Sequence, residues 1–120
     1  MNDNKLFEFF LEMQAQIKMF HWTTMKYSEH KALDELSKSL DNNIDDFIEI
    51  YISKYDKQPI KKYNISIKIQ NKNIIGYLQS KEKYIIKIRN KYFINIPQLQ
   101  NILDDIIGYI EKTIYLCRLG

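Results

Sequence analysis

His21 and His30 are the only histidines in the 120 residues, and Trp22, next to the first of them, is the only tryptophan. Acids follow at Asp34, Asp41, Asp45 and Glu49, the last two one helical turn apart. Imidazole nitrogen and carboxylate oxygen together suit iron, zinc or manganese, and a mixed set with open coordination positions suits redox-active iron. The same residues can instead make a polar seam between helices, since acids are common on helix surfaces. Little other chemistry is available. The chain has no Gly-rich phosphate loop, no serine or cysteine nucleophile placed beside a base, and no CxxC pair.

Two predicted helices must position these groups. From about Asp3 to Met25, Leu6, Phe10, Met13, Ile17, Phe20 and Thr24 step by three or four residues along one face. Asn2, Asp3 or Asn4 can cap the start. Lys26-Tyr27-Ser28 reads as a short connection, with Ser28 as N-cap of a second helix from Glu29 to about Tyr55. Its stripe is Leu33, Leu36, Leu40, Ile44, Phe47 and Tyr51, and His30, Asp34, Asp41, Asp45 and Glu49 fall along one flank of that stripe. Two long helices with so short a link must pack antiparallel.

Helix rise then limits how the candidate ligands can meet. His30 and Asp45 are fifteen residues apart, roughly 22 Å along one helix, so they cannot hold one ion within a single chain. They can meet across a two-fold axis, if the second helix packs antiparallel against its own copy. A homodimer with a self-complementary interface is the commonest form of such contact.

The helical pattern stops at Asp56-Lys57-Gln58-Pro59. Tyr63, Ile65, Ile67 and Ile69 then alternate with Asn64, Ser66, Lys68 and Gln70, a two-residue period that predicts extended chain over 63–70. With no partner strand in the chain, this segment is expected to pair across a symmetry axis or to lie as a cover over the bundle. A third helix is predicted from about Asn71 to Tyr92 on Ile74, Ile75, Leu78, Tyr84, Ile85 and Ile88, with Gly76 counting against it. A fourth runs from Pro97 to about Arg118 on Leu99, Leu103, Ile106, Ile110, Ile114 and Cys117. The expected fold is therefore all-α, an antiparallel four-helix bundle in one domain over residues 1–120 with a short extended segment between the second and third helices.

Composition agrees with a globular chain, at 45% hydrophobic and 28% charged residues with only three Gly and two Pro to make turns. Nothing resembles a secretory signal or a transmembrane run. The single Cys117 sits on an apolar stripe, which points to a reducing, intracellular compartment. Charge is unevenly spread: residues 1–55 hold six Lys against ten acids, whereas 57–91 hold nine Lys and Arg89 against Glu82. Lys81, Lys83, Lys87 and Arg89 interleave with tyrosines and can be read as a surface for nucleic acid or an acidic protein. The plainer reading is a solvated helix face whose Lys stems cover apolar surface.

His-Trp at the end of a first helix, His at the start of a second, then Asp fifteen and Glu nineteen residues on, is similar to the ferroxidase pattern of the Dps proteins, the mini-ferritins that protect DNA in starved bacteria. The stretch from Phe20 to Lys54, with the closing Asn101-Ile-Leu-Asp-Asp-Ile-Ile and Tyr115-Leu-Cys-Arg-Leu, also resembles a small uncharacterised Dps-like family of tailed phages and large DNA viruses. The resemblance implies a ferritin-like bundle and an iron site between subunits, with His21, His30, Asp45 and Glu49 as ligands and Asp34 or Asp41 nearby. It further implies ferroxidase-like oxidation of Fe(II), protection against oxidative damage, and a place in the host cytoplasm or the virion.

The chain departs from that pattern in four respects. The gap between the histidines is shorter than in Dps proteins, the Ile-x-Ile-x-Ile run is not Dps-like, and no lysine-rich N-terminal extension is present. The Glu-x-x-His motif of larger ferritins is absent, because Lys18 and Tyr27 stand three residues before the histidines. The alternative expectation is a non-enzymatic structural or interaction protein, a virion or nucleoid component with a vestigial metal site. Trp22, Phe7, Phe9, Phe10 and Phe20 are expected in the core or a dimer contact.

Overall fold

In the computed structural model, residues 2–57, 63–67 and 73–119 are described, and they form four helices with no strand among them: α1 (Asp3–Thr23), α2 (Tyr27–Tyr55), α3 (Ile74–Tyr92) and α4 (Pro97–Leu119). The molecule measures 43 × 29 × 20 Å. Its long dimension is that of α2, whose 29 residues rise about 44 Å.

Each helix begins or ends for a local reason. Asn2 caps α1 by accepting from the backbone N–H groups of Asn4 and Lys5. The start of α2 differs from expectation, because Lys26 rather than Ser28 is its N-cap, with no side-chain cap bond. Thr24 substitutes from outside the helix: its hydroxyl accepts from the Lys26 N–H at 3.3 Å and donates to Glu29 Oε1 at 2.6 Å. The helix thereby starts two residues earlier than Ser28 would place it. Asp56 ends α2 in the left-handed region, φ 50°, which Asp tolerates, and the Asp56 and Lys57 N–H groups both reach the Ile52 carbonyl.

Gly76, which weakened the third helix as a prediction, is explained by its cap. Asn73 Oδ1 accepts from the Gly76 N–H at 3.0 Å, and a Cβ at Gly76 would lie 2.5 Å from the Asn73 side chain. The helix starts at Ile74, and the predicted first turn at 71–72 lies outside the described residues.

The stripes read from the sequence are the core, except that Thr24, Ile75 and Tyr84 are only partly buried. Leu6, Phe10, Met13, Ile17, Phe20, Leu33, Leu36, Leu40, Phe47, Leu78, Ile85, Leu99, Leu103, Ile106 and Ile110 are all buried. Ring contacts join the helices: Phe47 meets Phe10 and Phe93, and Phe9 and Phe20 meet Tyr84 and Tyr77. Asp3 meets Tyr51, Gln14 meets Asp41 and His21 meets His30, so α1 and α2 run in opposite directions. The Cys117 end of α4 lies by Glu29 at the start of α2, and burial holds the Cys117 thiol above its usual range.

Where extended chain is predicted, residues 63–67 form neither helix nor strand. It runs along α1, where Glu8 and Glu12 accept from the Asn64 and Ser66 N–H groups at 3.4 and 3.1 Å. Residues 68–70 of that prediction lie outside the described residues. No helix among the described residues is long and apolar enough to cross a membrane.

Candidate functional site

The tight turn after α1 brings His21, in its last turn, against His30, in the first turn of α2. Their rings stack at 4.0 Å between centroids and 23° between planes. Each ring also reaches the other residue's backbone: His21 Nδ1 lies 2.9 Å from the His30 carbonyl oxygen, and His30 Nδ1 lies 2.8 Å from that of His21. A carbonyl can only accept, so both Nδ1 atoms carry the hydrogen. In the neutral imidazoles both Nε2 atoms then keep a lone pair. Donation of the second ring nitrogen to a backbone carbonyl is the arrangement that orients ligating histidines in metal sites.

Asp34 extends this end of the site. Its Oδ1 is 3.8 Å from His21 Nε2 and its Oδ2 is 3.1 Å from Lys38 Nζ. The bond from Lys38 holds the Asp34 carboxyl below its usual range. The geometry thus pairs the two imidazoles and sets Asp34 beside His21 alone, with His30 exposed and the His21 side chain 17% exposed.

Asp45 and Glu49 do not join them. Both are exposed on α2, with no hydrogen bond or ion pair to other described residues, and they stand half of α2 away from His30. Asp41 is held by Gln14, whose Nε2 donates to its Oδ1 at 3.1 Å. Among the described residues no group of three or more His, Cys, Asp and Glu side chains could hold a metal ion within one chain. Helix rise had already required this separation.

Asp45 and Glu49 border a cavity of about 220 Å³ between α1 and α2, lined by Phe7, Phe10, Leu11, Ile44, Ile48 and Tyr63 among others. The Tyr63 hydroxyl is buried and has no hydrogen-bond partner among the described residues. Periodicity puts Tyr63 in the apolar set of its run but cannot show what that run lies on. Of the two places expected for Trp22, the core is excluded: it is 66% exposed, because it stands on the far side of α1 from Phe20.

The basic helix is partly engaged within the chain. Lys81 Nζ sits over the rings of Phe9 and Tyr77 at 5.4 and 5.1 Å. Arg89 makes a two-pronged ion pair with Asp104. Lys83 and Lys87 remain exposed, without partners among the described residues.

A family of unknown function, DUF5856, matches residues 21–117, a span that begins at His21 and includes His30, Asp45 and Glu49. The chain is also similar to an uncharacterised 14.6 kDa protein from the mobD-ri intergenic region of Enterobacteria phage T4. The two are 28% identical over 106 residues, covering 88% of this chain and 80% of the phage protein. No solved structure matches the chain.

Proposed function

We propose that this chain, which belongs to the DUF5856 family, is a Dps-like protein of ferritin-like fold that takes Fe(II) as substrate between two subunits. The observation that carries this reading is the reciprocal histidine pair, which locks both rings through Nδ1 and leaves the His30 Nε2 open to a ligand, with the His21 Nε2 facing Asp34. The path of the chain supports it. The end of α2 lies by the start of α1 and the start of α3 lies by the end of α1, so the connection between α2 and α3 must travel the length of the molecule. Ferritin-like bundles have one such long crossover. The likeness to a phage T4 protein supports a place in the infected cell or the virion.

Each subunit carries two half-sites. Antiparallel two-fold packing of α2 would bring His21 and His30 of one subunit to Asp45 and Glu49 of the other. Neutral imidazoles and charged carboxylates of this kind suit iron, and bound Fe(II) is open to oxidation by oxygen or peroxide. The alternative, a structural or interaction protein meeting DNA or an acidic protein, rests on Lys83 and Lys87 alone, since Lys81 and Arg89 are engaged within the chain. It is the weaker reading.

Fe(II) titration of the purified protein tests the site. Loss of a residue that merely orients a ligand costs about 10–100-fold in metal affinity, so Asp45→Ala and His30→Ala should each lower affinity by at least tenfold. Mixing the two variants in equal amounts should restore one of the two sites in each heterodimer, about a quarter of all sites on random pairing, because that mixed site holds both intact residues. Protein that binds no Fe(II), or that binds equally well as Asp45→Ala, would overturn the reading.

A further inference from the structure

We infer that Trp22 of one copy of this chain seats in the cavity between α1 and α2 of a second copy, making the subunit contact on which the proposed iron site depends. The inference rests on that reading for its dimer axis, and it stands on three observations of the single chain.

The first is a knob. Trp22 is 66% exposed, although burying an aromatic side chain removes about 150–250 Å² from water. Along α1 it continues the row Leu11, Ala15, Lys18, at spacings of four, three and four, and those three residues line the groove beside Tyr63 and Ile65. Knob and groove therefore share one face of the molecule.

The second is a socket of matching kind. The cavity lined by Phe7, Phe10, Leu11, Ile44 and Ile48 holds about 220 Å³, below the roughly 300–1,000 Å³ of small-molecule sites. Its scale suits a single large side chain. The buried Tyr63 hydroxyl, without a partner among the described residues, can accept from an indole Nε1–H.

The third is register. Asp3–Tyr51, Gln14–Asp41 and His21–His30 set which residues of α1 and α2 are level. Trp22 is therefore level with the histidines, and Phe7 to Gln14 with Asp41 to Glu49. A two-fold axis that carries His30 fifteen residues along α2 to Asp45 carries Trp22 fifteen residues along α1 to Phe7, at the socket. Residues 39–53 hold Asp41, Asp45, Asp46 and Glu49 with no Lys or Arg, whereas at the Trp22 end Lys18, Lys26 and Lys31 stand among Glu29, Asp34 and Glu35.

As the single tryptophan, Trp22 reports on its own burial. In chelator, the full-length protein should run as a dimer by light scattering, with emission shifted to the blue and resistance to acrylamide quenching, both lost as dilution yields monomer. Trp22→Ala and Leu11→Glu alter exposed positions, so melting of the monomer should be unchanged. Each should raise the dimer Kd by about 30-fold or more, the scale of an interface hot spot. Mixed together the two variants should form heterodimers, since one intact tryptophan then meets one intact socket.

A dimer whose Trp22 stays fully quenchable, or variants that neither weaken the dimer nor complement, would overturn the inference and leave iron binding standing. A tryptophan-protected dimer that binds no Fe(II) would confirm it and overturn the iron reading alone. A monomer at every concentration would overturn it.

Discussion

Glu82 of α3 lies against Glu111 of α4, with its Oε2 buried and without a hydrogen-bond partner among the described residues. Burial, and then the Glu111 carboxylate, hold the Glu82 carboxyl above its usual range. A carboxyl whose folded pKa exceeds its unfolded value stabilises the fold while protonated. Its contribution is full below the unfolded pKa, near 4.3, and is lost as pH rises through the folded value. Glu82→Gln should therefore raise the melting temperature at neutral pH by about 2 °C, the order expected of a partly solvated site, and flatten the melting profile above about pH 4. An unchanged profile would show that the two acids do not interact. The histidine pair shows a different economy, since backbone carbonyls fix its tautomers and no side chain is spent on orientation.

Among the elements, the segment 63–67 is held by matching repeats. Two residues of extended chain advance about 6.6 Å and one turn of helix about 5.4 Å, so Asn64 and Ser66 can present successive N–H groups to Glu8 and Glu12. The alternation of this segment was plain in the sequence, but its partner is a helix flank, and no local pattern encodes that. Removing one acceptor leaves a peptide N–H to exchange with water. Glu12→Ala should speed amide exchange over 63–67 by about fivefold, corresponding to a hydrogen bond of about 1 kcal/mol, with the α2 amides unchanged. Equal protection in the variant would show that apolar contacts of Tyr63 hold the segment instead.

For the whole molecule, Phe47 marks where the elements converge: fully buried, it contacts Phe10 of α1, Tyr51 of its own helix and Phe93 after α3. Phe47→Ala should cost about 3–5 kcal/mol, a large part of the 5–15 kcal/mol typical of a domain. Urea unfolding measures it, and a cost near 1 kcal/mol would mean that the core collapses around the gap. Charge behaves otherwise at this scale. Among the described residues, only Asp3 with Lys57 joins an acid of 1–55 to a base of 57–91 by an ion pair.

The sequence by itself determined the four helices and their buried stripes, because apolar spacing is a local property that burial enforces in every helix. It also determined that His30 and Asp45 cannot share an ion within one chain, since helix rise is fixed by backbone geometry. Only the tertiary structure decided the stacked, carbonyl-tied histidines, the exposed side of Trp22 and the cavity beside Asp45 and Glu49. These depend on the Thr24–Glu29 turn and on the register it sets between α1 and α2. Contacts across a turn are chosen by a few backbone angles that composition and periodicity leave open.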